Sequence, residues 1–194
     1  MRERIANLAS NILNPFLASL VIILLLSFEA TSSILDALKW SLILTALSIL
    51  PVYALIIYLV RSKRVESLFI HVRKQRTKVY LLAGVCVGLG YTILHYLGAP
   101  QMLMATSAAG LSVIVVFVCI NLVWKISIHT AFIAALVAIL IILYGWIAAV
   151  TVLLVPLIAW ARIELAHHSL AQVVTGALLA TLIVVAVFYS FGLV

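Results

Sequence analysis

The chain has 194 residues, of which 67% are hydrophobic and 9% charged, and its mean hydropathy is +1.36. No soluble globular domain carries that composition, so residues 1–194 read as one integral membrane domain. The net charge of +7 comes with no base-stacking platform or nucleic-acid motif, which argues against a nucleic-acid partner and for the anionic headgroups of a lipid bilayer.

A helical span needs roughly 20 apolar residues. The start, Met1-Arg-Glu-Arg4, is basic, but the apolar run behind it meets no small-residue cleavage site, so no secretory signal is expected. The first run covers about residues 12–28. Ser33 with Asp36 reads as a capping-box variant opening a second helix to about Val60, with Pro51 a tolerated kink inside it. The polar segment Arg61 to Lys78 follows. It carries Val65, Leu68, Phe69, Ile70 and Val72 among its charges, as suits an interfacial helix or ordered loop that passes a lipid headgroup inward.

Further runs cover about 79–97, closed by Gly98-Ala-Pro100, and about 102–123. Another runs from His129 to about Tyr144, where Gly145 makes a tight turn, and the next from Trp146 to about Trp160. The last extends from about Ser169 to the end of the chain. The expected fold is an all-α polytopic transmembrane bundle. It has seven spans, or six if the short first run lies along the interface or the division into fifth and sixth runs is misparsed. Cys86 and Cys119 sit inside apolar runs and read as packing residues, with neither a disulfide nor a metal site.

Parity then becomes informative. Two helical pairs return the chain to its starting side, so the segments 61–78, 125–129 and 161–172 emerge on one membrane face. With seven spans the N-terminus joins that face, so of the twelve Lys and Arg residues only Lys39 falls elsewhere, and the positive-inside rule makes the shared face cytoplasmic. Ionisable groups at a membrane boundary are costly and mark function by default. Arg162, Glu164, His167 and His168 form one such cluster, and Lys125, Ser127 and His129 a second. Both histidine clusters lie where helices begin, and unsatisfied N–H groups there attract phosphate. Two histidines with several fixed cations supply a nucleophile, an acid and charge neutralisation, the needs of phosphoryl transfer without a metal or other cofactor.

These residues resemble the motifs of the type 2 phosphatidic acid phosphatase superfamily, which includes lipid phosphate and polyprenyl diphosphate phosphatases. Its third motif, Ser-Arg-x5-His-x3-Asp, is matched in spacing by Arg162, His168 and Gln172, and Val-Val-Thr-Gly-Ala-Leu-Leu-Ala after it resembles the family's last helix. Ile126-Ser127-Ile128-His129 stands where the family has Pro-Ser-Gly-His, and Arg73-Lys-Gln-Arg76-Thr77 loosely matches its Lys-x6-Arg-Pro. The three cover residues 61 to 185 in family order.

The resemblance implies that His168 is the nucleophile forming a phosphohistidine and His129 the acid for the leaving lipid oxygen. Arg162, Arg76 and Ser127 would bind phosphate, with Arg73 and Lys125 as weaker candidates. The family's orienting Asp is Gln172 here, which can fix the histidine tautomer but stabilises an imidazolium less than a carboxylate does. Glu164 is an alternative partner. Ile128 replaces a glycine and restricts positive φ, and Ala161 replaces a serine donor.

Plainer roles stand beside these. Ser169 and Gln172 read as a Ser-x-x-Gln capping box, a role that stands as an alternative to orienting His168 or alongside it. His167 reads as a neighbour, His95 as interfacial on the other face, His71 as solvated, and Arg61, Lys63 and Arg64 as headgroup anchors. The expected partner is a phosphorylated membrane lipid, an isoprenyl diphosphate or a glycerolipid phosphate. Two other classes stay open: a degenerate relative that binds or moves anionic lipids without turnover, and a small transporter.

Overall fold

The computed structural model describes residues 1–65 and 73–194, the side chains of Arg73 and Lys74 excepted. Regular structure among the described residues is entirely helical: α1 Arg2–Ile12, α2 Pro15–Glu29, α3 Ile34–Leu44, α4 Leu50–Arg61, α5 Arg73–Tyr96, α6 Gln101–Val123, α7 Ile128–Tyr144, α8 Leu154–Glu164 and α9 Leu170–Ser190. A π-helical turn, Thr45–Ile49, joins α3 to α4, and a 3₁₀ segment, Gly145–Leu153, leads into α8. Six helical stretches among the described residues are long and apolar enough to cross a membrane, so the protein is an all-α polytopic membrane bundle.

The fifth stretch, Ile128–Glu164, has 37 residues but does not run straight. Gly145 adopts φ 61°, which a glycine tolerates without a Cβ clash, and α7 packs back against both the 3₁₀ segment and α8. The limbs are about 26 Å and, because a 3₁₀ helix rises about 2 Å per residue, about 34 Å long. Each is close to the ~30 Å thickness of a bilayer core. The expected fifth and sixth runs are therefore two limbs of one helical hairpin.

Four sequence expectations are corrected in detail. Residues 2–12 form a separate amphipathic helix, α1, and Asn14 opens α2 by accepting from the backbone N–H groups of Phe16 and Leu17 at 3.0 Å each. Ser33 is the N-cap of α3, but its side chain makes no cap hydrogen bond, and Asp36 instead pairs with Lys39 at 2.8 Å. Pro51 sits in the first turn of α4 behind the π turn, whose wider register accommodates a ring that would clash with the carbonyl four residues back. Finally, α5 begins at Arg73, so Arg76 and Lys78 belong to its first turns and not to the polar segment. Residues 66–72 of that segment, with His71 and its headgroup-passing role, lie outside the described residues.

The chain divides into two compact units, Met1–Ile22 with Lys125–Val194, and Ile23–Trp124. In the first, α7 packs on α9 and α8, and α8 packs on α1. Ala6, Ala18, Ile133, Val137, Ile158 and Ala161 form its core, small side chains letting the helices approach closely. In the second, α5 packs on α6, α4 and the π turn. There the buried Asn121 donates to Thr77 Oγ1 at 3.1 Å, satisfying a polar pair inside apolar helices. Both cysteines are free thiols, and Cys119 is exposed on α6, not packed inside.

Candidate functional site

The first unit carries two polar turns. In one, Ser127 is the N-cap of α7, and its hydroxyl accepts from the Thr130 N–H at 3.5 Å. Ile128 is then the first residue of the helix, and the positive-φ non-glycine residues among those described are Lys63 and Ala166. The backbone restriction expected of Ile128 therefore does not arise. His129 follows in the first helical turn, where the N–H groups and dipole of α7 favour negative charge. Ser127 and His129 are both buried.

The other turn joins α8 to α9. Helix α8 ends in a Schellman motif: the Ala166 N–H donates to the Ile163 carbonyl at 2.8 Å and the His167 N–H to the Arg162 carbonyl at 3.1 Å. Ala166 takes φ 53° to make it, a conformation that costs any residue with a Cβ. The His168 N–H also donates to the Arg162 carbonyl, at 3.2 Å. Ser169 immediately caps α9, completing a capping box with Gln172. The spacing from Arg162 to His168 is thus the length of one C-cap followed directly by one N-cap.

Gln172 does two things with one atom. Its Oε1 accepts from the Ser169 N–H at 3.3 Å and lies 2.9 Å from His168 Nδ1. An amide oxygen only accepts, so Nδ1 carries a proton, and in the neutral ring Nε2 then keeps its lone pair. Glu164 is exposed, and Gln172 holds the ring.

Three contacts lock the turns together. The Ser127 N–H donates to the Gln172 carbonyl at 3.3 Å, and Lys125 Nζ donates to the His167 carbonyl at 2.7 Å. Gly176 on α9 lies so near α7 that an added Cβ would stand 2.6 Å from the Ser127 carbonyl oxygen. Arg162 is only 2% exposed, and its Nη1 donates to Ser10 Oγ on α1 at 2.7 Å. The first unit therefore gathers Lys125, Ser127, Arg162, His168 and Gln172 through direct links, with His129 two residues beyond Ser127.

Arg76 and Arg73 belong to the second unit. Arg76 is buried on α5 with its charge beside the Tyr80 hydroxyl, while the Arg73 side chain lies outside the described residues. His95 is exposed at the other end of α5, edge-on to Tyr96 at 5.9 Å and about 28 Å along the helix from Arg76. Among the described residues no group of three His, Cys, Asp or Glu side chains is placed to hold a metal. Ser10 and Gly176 were not singled out by the sequence. Ser10 looks like any small polar residue in a short helix, whereas Gly176 stands out as a lone glycine inside a long apolar one.

The chain matches no protein-family model, and neither a curated protein nor a solved structure matches it.

Proposed function

We propose that this protein is a membrane-embedded phosphatase that removes a phosphate or diphosphate from a lipid through a phosphohistidine. One observation carries the reading: His168, buried and held by Gln172 in the Nδ1–H tautomer, shares a tied pair of turns with Ser127, and Arg162 stands at the same turn. That tautomer leaves Nε2 as the nucleophile. Its lone pair attacks phosphorus in line, the bond from phosphorus to the lipid oxygen breaks, and His129 gives its proton to that oxygen. Water then attacks the phosphohistidine, with His129 taking a proton from it, and free phosphate leaves as Nε2 is regenerated.

Arg162, Ser127 and the first N–H groups of α7 would hold the phosphoryl oxygens as charge spreads over them. Lys125 contributes mainly by holding the carbonyl of His167. Arg73 and Arg76 enter only through the order of the three motifs. No metal takes part in this scheme. An isoprenyl diphosphate or a glycerolipid phosphate fits, since the leaving tail stays in hydrocarbon. The positive-inside rule supports a cytoplasmic site face, which fusion of a reporter to either terminus tests.

The neutral Gln172 favours one second reading, a protein that binds or moves anionic lipids without turnover. Phosphate release from a panel of lipid phosphates and diphosphates by purified protein separates the two. Release should fall to background in His168→Ala. Equal release by wild type and variant sinks the phosphohistidine, and no release from either selects the lipid-binding reading.

A further inference from the structure

Arg162 is the largest fully buried side chain among those described, and the partner the structure gives its Nη1 comes from far along the chain. Ser10, 3% exposed, accepts that N–H at 2.7 Å from the last turn of α1. Helix α1 packs on α8, with Ala6, Ile158 and Ala161 in one buried cluster and Ala9 packed against it. The same end of α1 is closed by Asn14, whose Nδ2 donates to the Asn11 carbonyl at 2.6 Å.

The chemistry of the partner matters. A guanidinium is a planar fork, so holding one of its nitrogens restrains where the others can point. A carboxylate in that place would neutralise the charge and compete with phosphate. A hydroxyl oxygen accepts from the fork and brings no charge of its own to neutralise it. Position 161, where the family pattern has a hydroxyl, is an alanine packed into the core, so the hydroxyl beside Arg162 comes from α1 instead.

We infer that Ser10 is a positioning residue that aims the Arg162 guanidinium at the phosphoryl group, which makes α1 part of the binding site. This rests on the phosphatase reading. It accounts for a short amphipathic helix, about 16 Å long and unable to cross a bilayer, being packed onto the helix that carries Arg162.

The test compares wild type, Ser10→Ala and Ser10→Thr in detergent. It reads kcat and KM for a lipid phosphate, inhibition by orthovanadate, and the thermal midpoint. Vanadate mimics the phosphoryl group in flight, so its affinity reports the aim of Arg162 directly. In Ser10→Ala, KM and the vanadate inhibition constant should each rise about tenfold, the loss of one hydrogen bond to a charged group. Ser10→Thr, which keeps the acceptor oxygen, should restore both.

A merely structural serine would lower the folded fraction, reducing kcat and the thermal midpoint while leaving KM and vanadate affinity unchanged. That result overturns the inference, as does Ser10→Thr behaving like Ser10→Ala. Wild-type activity with unaltered KM and vanadate affinity in Ser10→Ala sinks the inference alone. Absence of wild-type activity sinks the phosphatase reading, and the inference with it.

Discussion

Replacing Gly176 by alanine would place a methyl carbon 2.6 Å from the Ser127 carbonyl oxygen and 3.0 Å from Thr130 Oγ1. Ordinary contact begins near 3.4 Å, so α7 and α9 would have to separate locally by about 0.8 Å. Backbone, not a flexible side-chain tip, lies opposite, so the strain has no cheap outlet. The Ser127 N–H bond to the Gln172 carbonyl is already 3.3 Å long and would be lost. Overpacking of this kind costs about 1–3 kcal/mol, and the better helix propensity of alanine returns at most about 1 kcal/mol.

The expected net loss is about 0.5–2 kcal/mol, or about 1–8 °C in thermal midpoint for a chain of this size. Gly88→Ala is the control, because nothing lies within 4 Å of a Cβ there. It should be neutral or mildly stabilising. The same displacement would shift Ser127 and His129 against His168, and a misplacement approaching 1 Å costs about a hundredfold in rate. Thermal unfolding in detergent with phosphate release measures both effects. Gly176→Ala as stable and as active as Gly88→Ala would refute the close approach of α7 and α9, and with it the geometry of the site.

Two further substitutions probe the turn between α8 and α9. Gln172→Glu keeps the capping box and the reach to His168 Nδ1 but adds a charge that stabilises an imidazolium, so kcat should rise about tenfold with little change in KM. Unchanged or lower kcat would mean that imidazolium stabilisation does not limit turnover. Ala166→Gly relieves the φ of 53° and should raise stability by about 0.5–1 kcal/mol, read as a higher thermal midpoint, while phosphate release stays near wild type. A lower midpoint would show that the Schellman turn is not under strain.

The spans were legible because the bilayer imposes length and hydropathy on each helix separately. The capping box at Ser169 and Gln172 was legible for a similar reason, being chemistry within four consecutive residues. Glycines mark two of the Schellman caps, at Gly98 and Gly192. Lys63 and Ala166 take the same positive φ with ordinary residues, because the neighbouring hydrogen bonds over-determine the turn, and nothing in their letters announces it. Ser33 shows the converse. Its pattern promised a capping box, yet Asp36 found a stronger electrostatic partner in Lys39 one turn along α3.

Sequence by itself determined the medium, the helices and the short-range spacing of Arg162, His168 and Gln172, since a helix, its cap and the next N-cap are local in the chain. It also showed that one oxygen of Gln172 had two donors to choose between. Only the tertiary structure decided that it serves both, that Gly176 lets α7 and α9 touch through backbone, and that Ser10 holds Arg162 across 152 residues. The reason is physical. Hydropathy and capping act on neighbours in sequence, whereas a buried guanidinium must find its acceptor among whatever residues packing brings to it.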